Sequence, residues 1–198
     1  MEEQKFATLY LVRHGETDWN AEKRIQGRID RPLNEVGTQQ AHAVGQELAS
    51  VRAAAIYASP LLRAKHTAEL IASYQTCALS FDHDLQEANY GSIEGYTLSE
   101  FHERFSDLLE ERKKLSFEEW WVSKVPHDAE SPAEIVGRVL PVLQRIAHTH
   151  PGEAAFVVTH GFVMRSLIAY LNKASDRGVH VSNGEILVLN SNQLFTEH

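Results

Sequence analysis

Three observations predict an α/β fold, a three-layer sandwich with a central, largely parallel β-sheet between helices. Short, β-leaning apolar runs recur at Leu9–Val12, Ala54–Ala58, Glu153–Thr159 and Gly184–Leu189, a length suited to buried strands. The segments between them return apolar residues at helical spacing. Polar residues stand immediately after three of the runs, as Arg13-His14, Ser59-Pro60 and His160-Gly161, the position at which open α/β sheets hold ligands. Strands alternating with helices call for layers of this kind. The chain, residues 1–198, reads as one such domain carrying a helical insertion around 97–130.

The first strand closes on Arg13-His14-Gly15, where the glycine permits a sharp turn and a ligand close to the backbone. A polar loop over 21–32 follows and carries Gln26-Gly27. Asn34 is placed to cap a helix whose apolar positions Ala41, Val44, Leu48 and Val51 form a stripe, with His42 outside it. After the second strand, Ser59-Pro60 supplies a cap and a first-turn proline, which puts Arg63 in the first turn. A cation there opposes the positive helix terminus unless an anion is present. The helix continues through Ala64, Thr67, Ala68 and Ile71.

Ala78–Phe81 reads as a short third strand. Asp82–Gly95 has no period and two glycines, so it is a loop, and Glu87 stands in it. Thr97-Leu98-Ser99-Glu100 is a capping box. The stretch 100–119 is dense in both signs of charge and reads as a solvated helical face. Trp120-Trp121 is expected to anchor it to the main body, with a lid over the site as the alternative. Ser131-Pro132-Ala133-Glu134 opens a helix with a capping box and first-turn proline. Ile135, Val139, Val142, Leu143 and Ile146 fill its apolar face, and Pro141 predicts a kink. His148 and His150 close it, where cations suit the dipole; no carboxylate or cysteine cluster near them supports an HxH metal pair.

Length and composition bound the function. The 198 residues are enough for a sizeable core, and 43% apolar with 23% charged residues fits a folded chain. A net charge of −8 argues against nucleic acid and anionic membrane as partners, and requires any anionic substrate to find a local positive pocket. The single cysteine, Cys77, excludes an intrachain disulfide and is expected to be a buried structural thiol in a reducing compartment. The acidic start of the chain offers no run long enough for a secretory signal or membrane span, so a cytoplasmic location is expected. Oligomeric state is not fixed, and a homodimer stays open.

Arg13-His14, Arg63 and His160 are therefore expected at one sheet edge. Guanidiniums bind phosphoryl oxygens as forks, and a neutral histidine can take a phosphoryl group on one ring nitrogen. Glu87, on a loop free to reach the site, is the candidate acid for the leaving oxygen. RHGETDWN, SPLLRAKHTA, the Glu87 loop and VVTHG, in this order, resemble the histidine phosphatase superfamily, also called phosphoglycerate-mutase-like proteins. The resemblance covers nearly the whole chain. It implies that His14 is the phosphorylated nucleophile, that Arg13, Arg63 and His160 hold the phosphate, and that Glu87 is the proton donor and later helps activate the acceptor. It implies supporting ligands in Asn20 and Gly161, with Gln26, Gly27 and Tyr90 beside them, and neither metal nor cofactor.

The superfamily holds hydrolases and mutases. In the cofactor-dependent phosphoglycerate mutases an arginine follows the acid glutamate and a lysine lies further along; here those positions are Ala88 and Leu98, suggesting a less cationic rim. Tyr90-Gly91 resembles the mutase pattern, whereas Ile93-Glu94-Gly95 keeps two of the three residues of the phosphatases' Trp-Glu-Gly. A phosphatase acting on a small phosphate ester through a phosphohistidine is the favoured expectation. A phosphoglycerate mutase is the alternative, and an inactive phospho-ligand binding module the second. Trp120 and Trp121, if they line the entrance, would suit an apolar or aromatic leaving group.

Overall fold

Strands β1 (Thr8–Arg13), β2 (Ala53–Ala58), β3 (Ala78–Phe81), β4 (Ala154–Thr159) and β5 (Ile186–Asn190) form one sheet in the order β3-β2-β4-β1-β5. The computed structural model describes residues 5–174 and 179–195; the acidic start at residues 1–4 lies outside them. β1 to β4 run parallel, and β5 is antiparallel to β1. Helices α1 (Asp18–Ala21), α2 (Glu35–Glu47), α3 (Leu62–Ala72), α4 (Leu98–Arg104), α5 (Ser106–Arg112), α6 (Phe117–Val122), α7 (Pro132–Thr149) and α8 (Gly161–Asn172) complete the fold.

Both faces of the sheet are covered, which is why its central strands are continuous apolar runs rather than alternating ones. On one side Leu9, Leu11, Ala155 and Val157 meet Ile135, Val139, Leu143, Met164 and Leu167 of α7 and α8. On the other, Val12, Ile56, Phe156 and Val158 meet Val44, Ala64, Ala68 and Ile71 of α2 and α3. The parallel register pairs Arg13 with Thr159 and Ala58 with Val158. The carboxyl ends of β2, β4 and β1 thus lie side by side, and the pairing runs past them: Ser59 N–H donates to Val158 and His14 N–H to Thr159.

Several expectations are corrected. α2 ends at Glu47; Leu48–Ser50 is a 3-10 turn and Val51 is already extended. α3 begins at Leu62 with Leu61 as an uncapped N-terminal residue, so Ser59 is not its cap; Arg63 nevertheless stays in the first turn. The helix expected to bend at Pro141 is α7, which continues on both sides of it; Pro141 and Gly137 both face solvent, where the Gly137 carbonyl deprived of its donor can be hydrated. Cys77 is only partly buried, since it leads into the edge strand β3, and that burial raises its thiol pKa. The 97–130 segment folds as α4–α6 with the predicted capping box at Thr97 and Glu100. Trp121 stacks on Tyr170 of α8 at 5.9 Å, the expected anchor. No described helix is long and apolar enough to cross a membrane.

Candidate active site

A cavity of about 760 Å³ opens at the carboxyl edge of the sheet. Arg13, His14, Asn20, Gln26, Gly27, Arg63, Glu87, Tyr90 and Gly161 all line it. His160 lies beneath the surface, fully buried, with its ring centroid 5.2 Å from that of His14. Every residue expected at the phosphoryl site from the sequence is therefore gathered here.

His14 follows β1 directly. Its Nδ1 lies 2.7 Å from the Gly15 carbonyl oxygen. A carbonyl only accepts, so Nδ1 carries the ring proton and Nε2 keeps its lone pair. Burial, then the charges of Arg63 and Arg13, hold the His14 pKa well below its ordinary 6.5. The imidazole is thus neutral, the form a nucleophile needs. Gly15 is required for this turn: a Cβ there would come 2.3 Å from the Gly37 carbonyl oxygen. Its N–H donates to the Thr67 hydroxyl at 3.0 Å, tying the turn to α3.

Arg63 is 1% exposed. Its Nη1 and Nη2 donate to the carbonyls of Ile29 and Gly27 at 3.0 and 2.7 Å, which fixes the guanidinium and shapes the 26–29 loop. Arg13 Nη1 donates to the Val181 carbonyl. Burial lowers the pKa of both arginines, Glu87 being the leading charge that opposes it. A Cβ on residue 161 would approach Arg13 Nε to 3.1 Å, so the glycine after His160 makes room for that guanidinium.

His160 Nε2 lies 2.8 Å from Ser59 Oγ. Ser59 Oγ also accepts from Leu61 N–H at 3.3 Å; assigning its own proton to the His160 contact places the imidazole proton on Nδ1. The His160 pKa is likewise held well below 6.5, by burial first and then by Arg63 and His14. Arg13 Nε, Arg63 Nε and His160 Nδ1 are all buried without a hydrogen-bond partner. Buried donors without acceptors are costly, and a phosphoryl group, with oxygen acceptors on every side, matches this set. α8 also directs its N-terminus here, where helices favour anions.

Glu87 is 8% exposed. Its Oε1 accepts from Ala88 N–H at 2.9 Å and its Oε2 from Phe162 N–H at 3.3 Å. The loop carrying it reaches the site as expected and is fixed there, because side chains hold it along its length. Of the two tryptophans considered for the entrance, Trp120 lines the cavity and Trp121 does not; the rest of the wall was not legible from the motifs. Phe101, Leu109 and Trp120 of α4–α6, with Phe162, form an apolar side, and Arg24, Arg112, Lys113 and Arg165 bring cations to the rim. Arg112 lies over Trp120, its guanidinium carbon 5.8 Å from the ring centroid. The solvated-face reading holds for most of 100–119 but not for these inward positions, and the rim is more cationic than Ala88 and Leu98 alone suggest. Asn183, also unforeseen, donates to the His14 carbonyl at 3.0 Å. Among the described residues no group of three or more His, Cys, Asp or Glu side chains is placed to hold a metal ion. His150 Nε2 instead pairs with the Tyr57 hydroxyl.

The comparisons with known proteins converge. The model of the histidine phosphatase superfamily (branch 1) matches residues 9–193. A metal-independent phosphoserine phosphatase of Arabidopsis thaliana is 37% identical over 182 residues, covering 89% of this chain and 73% of its own. A probable phosphoglycerate mutase of Salmonella arizonae is 37% identical over 169 residues, covering 81% and 73%. Among solved structures, a mycobacterial glucosyl-3-phosphoglycerate phosphatase complexed with VO3 superposes with a TM-score of 0.81 at 25% identity, covering 92% of this chain and 90% of that one.

Proposed function

The chain belongs to the histidine phosphatase superfamily, and from that premise we propose that it is a metal-independent phosphatase of small phosphorylated metabolites, working as a single domain through a phosphohistidine on His14. The observation that carries this reading is the pairing of a neutral His14 whose Nε2 is open with three partnerless buried donors beside it. Nε2 attacks phosphorus, the P–N bond forms, and the P–O bond to the leaving group breaks. Glu87 gives its proton to the departing oxygen. Water then attacks the phosphohistidine, returns a proton to Glu87, and releases inorganic phosphate as the P–N bond breaks. Arg13, Arg63 and His160 stabilise the charge that develops on the phosphoryl oxygens.

Asn20, Gln26, Gly27, Tyr90 and Gly161 are read as supporting ligands. The rim cations suit a substrate with a second anionic group, such as the carboxylate of phosphoserine, the substrate named for one relative. The apolar wall of Phe101, Trp120 and Phe162 favours a second reading, an aromatic leaving group. The mutase alternative is disfavoured because Ala88 is fully buried and apolar, and Leu98 puts no charge on the wall it lines.

Phosphorus NMR with chelator and a pool of phosphoserine, phosphoglycerates, sugar phosphates and an aryl phosphate tests the proposal. Growth of free phosphate supports it, and the vanishing ester names the substrate. Interconversion of phosphoglycerates without free phosphate would make the protein a mutase. No turnover of any ester would favour a binding module.

A further inference from the structure

We propose that Arg138 and Glu130 are the positioning pair for Glu87, a fork that fixes the loop bearing the general acid; this rests on the phosphatase reading above. Beyond the 3-10 turn His83–Leu85, residues 86–89 form neither helix nor strand, so no ladder satisfies their backbone. Four consecutive carbonyls are nonetheless occupied. Arg138 donates to the carbonyls of Asp84, Gln86 and Glu87 at 2.6, 2.8 and 3.1 Å. The Thr159 hydroxyl donates to the Leu85 carbonyl at 2.8 Å. Glu130 takes Asn89, two residues past Glu87, from both sides: its carboxylate accepts from Asn89 N–H at 2.7 Å and its own N–H donates to the Asn89 carbonyl at 2.8 Å.

The two side chains also bind each other. Arg138 Nε meets Glu130 Oε1 at 3.0 Å and Nη2 meets Oε2 at 3.1 Å. Nε, both hydrogens of Nη1 and both of Nη2 are thereby all engaged. Side-chain exposures of 14% and 18% shield the fork from the screening that weakens surface pairs. Arg138 rides on α7, whose start is set by the Ser131–Glu134 capping box, so the fork transmits the position of a rigid element to a loop. Arg28 adds a 3.3 Å contact to Glu130, from the loop whose carbonyls Arg63 holds. A general acid acts only within hydrogen-bond reach of its target. A lysine at 138 offers three donors from one point and cannot reproduce the planar fork.

Leaving-group chemistry separates this role from a merely structural one. An alkyl phosphate such as phosphoserine needs a proton on its departing oxygen, whereas dinitrophenyl phosphate expels a stable phenolate without one. The measure is kcat/KM, which reports phosphoryl transfer to His14 and not the later hydrolysis. In Arg138→Lys it should fall about 10²-fold for the alkyl ester, the cost of a misplaced catalytic group, and stay close to wild type for the aryl ester. Glu87→Gln should show the same pattern, and adding Arg138→Lys to it should cost nothing more. Equal losses on both esters, no loss on either, or multiplying losses in the double variant would overturn the proposal. Binding of inorganic phosphate checks that the variant is folded; if Arg138→Lys fails that check, Glu130→Gln decides by the same comparison. A wild-type protein inert on both esters would remove the phosphatase reading itself, and the positioning role with it.

Discussion

His160 Nε2 sits 2.8 Å from the Ser59 hydroxyl, joining the ends of β4 and β2 across the floor of the cavity. With Ser59 as the donor in that contact, the ring proton stands on Nδ1, the nitrogen that has no protein partner. Ser59→Ala removes that donor to Nε2 and frees the imidazole to adopt the other tautomer. Loss of one buried hydrogen bond of this kind commonly costs about 1–3 kcal/mol, so inorganic phosphate should bind about tenfold more weakly or worse, by calorimetry. Unchanged affinity would show that His160 does not depend on Ser59 for its role.

Acid stability follows from the same histidines. His14 and His160 both have folded pKa values well below 6.5, through burial first. The unfolded chain therefore binds more protons between those values and about 6.5. Their contribution is fully present above pH 6.5 and is lost as pH falls below it, at about 1.4 kcal/mol per pH unit for each histidine. Urea unfolding across pH 5–7 should show a shallower slope in His14→Asn by one proton. Saturating phosphate should flatten the wild-type slope, because a bound anion favours the protonated rings. An identical slope in the variant would contradict the assignment.

The glycines make a matched pair of tests. Gly15→Ala would place a methyl group 2.3 Å from the Gly37 carbonyl, a backbone atom that cannot swing aside. Overpacking of this order costs about 1–3 kcal/mol or more, and turnover should fall with stability as His14 shifts. Gly137, exposed within α7, has nothing within 4 Å of its would-be Cβ, so Gly137→Ala should stabilise by about 0.5–1 kcal/mol. Denaturant titration of both variants checks the contrast.

The sheet and the catalytic floor were legible because local chemistry dictates them. A strand buried on both faces must be a short apolar run, and the residues after Val12, Ala58 and Thr159 emerge at one edge by topology alone. What sequence did not reveal is set by contacts across long separations. Ser59 resembles a helix cap, yet its hydroxyl serves His160, more than one hundred positions away. Arg138 meets carbonyls more than fifty residues earlier; its one local sign was a cation next to Val139 of the apolar face. Arg112 and Phe101 sit in a segment whose charge pattern describes its outer face. Which members turn inward depends on packing against α8, through Trp121 and Tyr170.

Trapping the phosphoenzyme tests the central claim most directly. The wild-type protein, mixed with a labelled ester and quenched, should carry an acid-labile, alkali-stable phosphate that maps to His14. His14→Ala should unfold cooperatively, still bind inorganic phosphate, carry no label and turn over no ester. A folded His14→Ala protein with near-wild-type turnover, or a label on any other residue, would contradict the account.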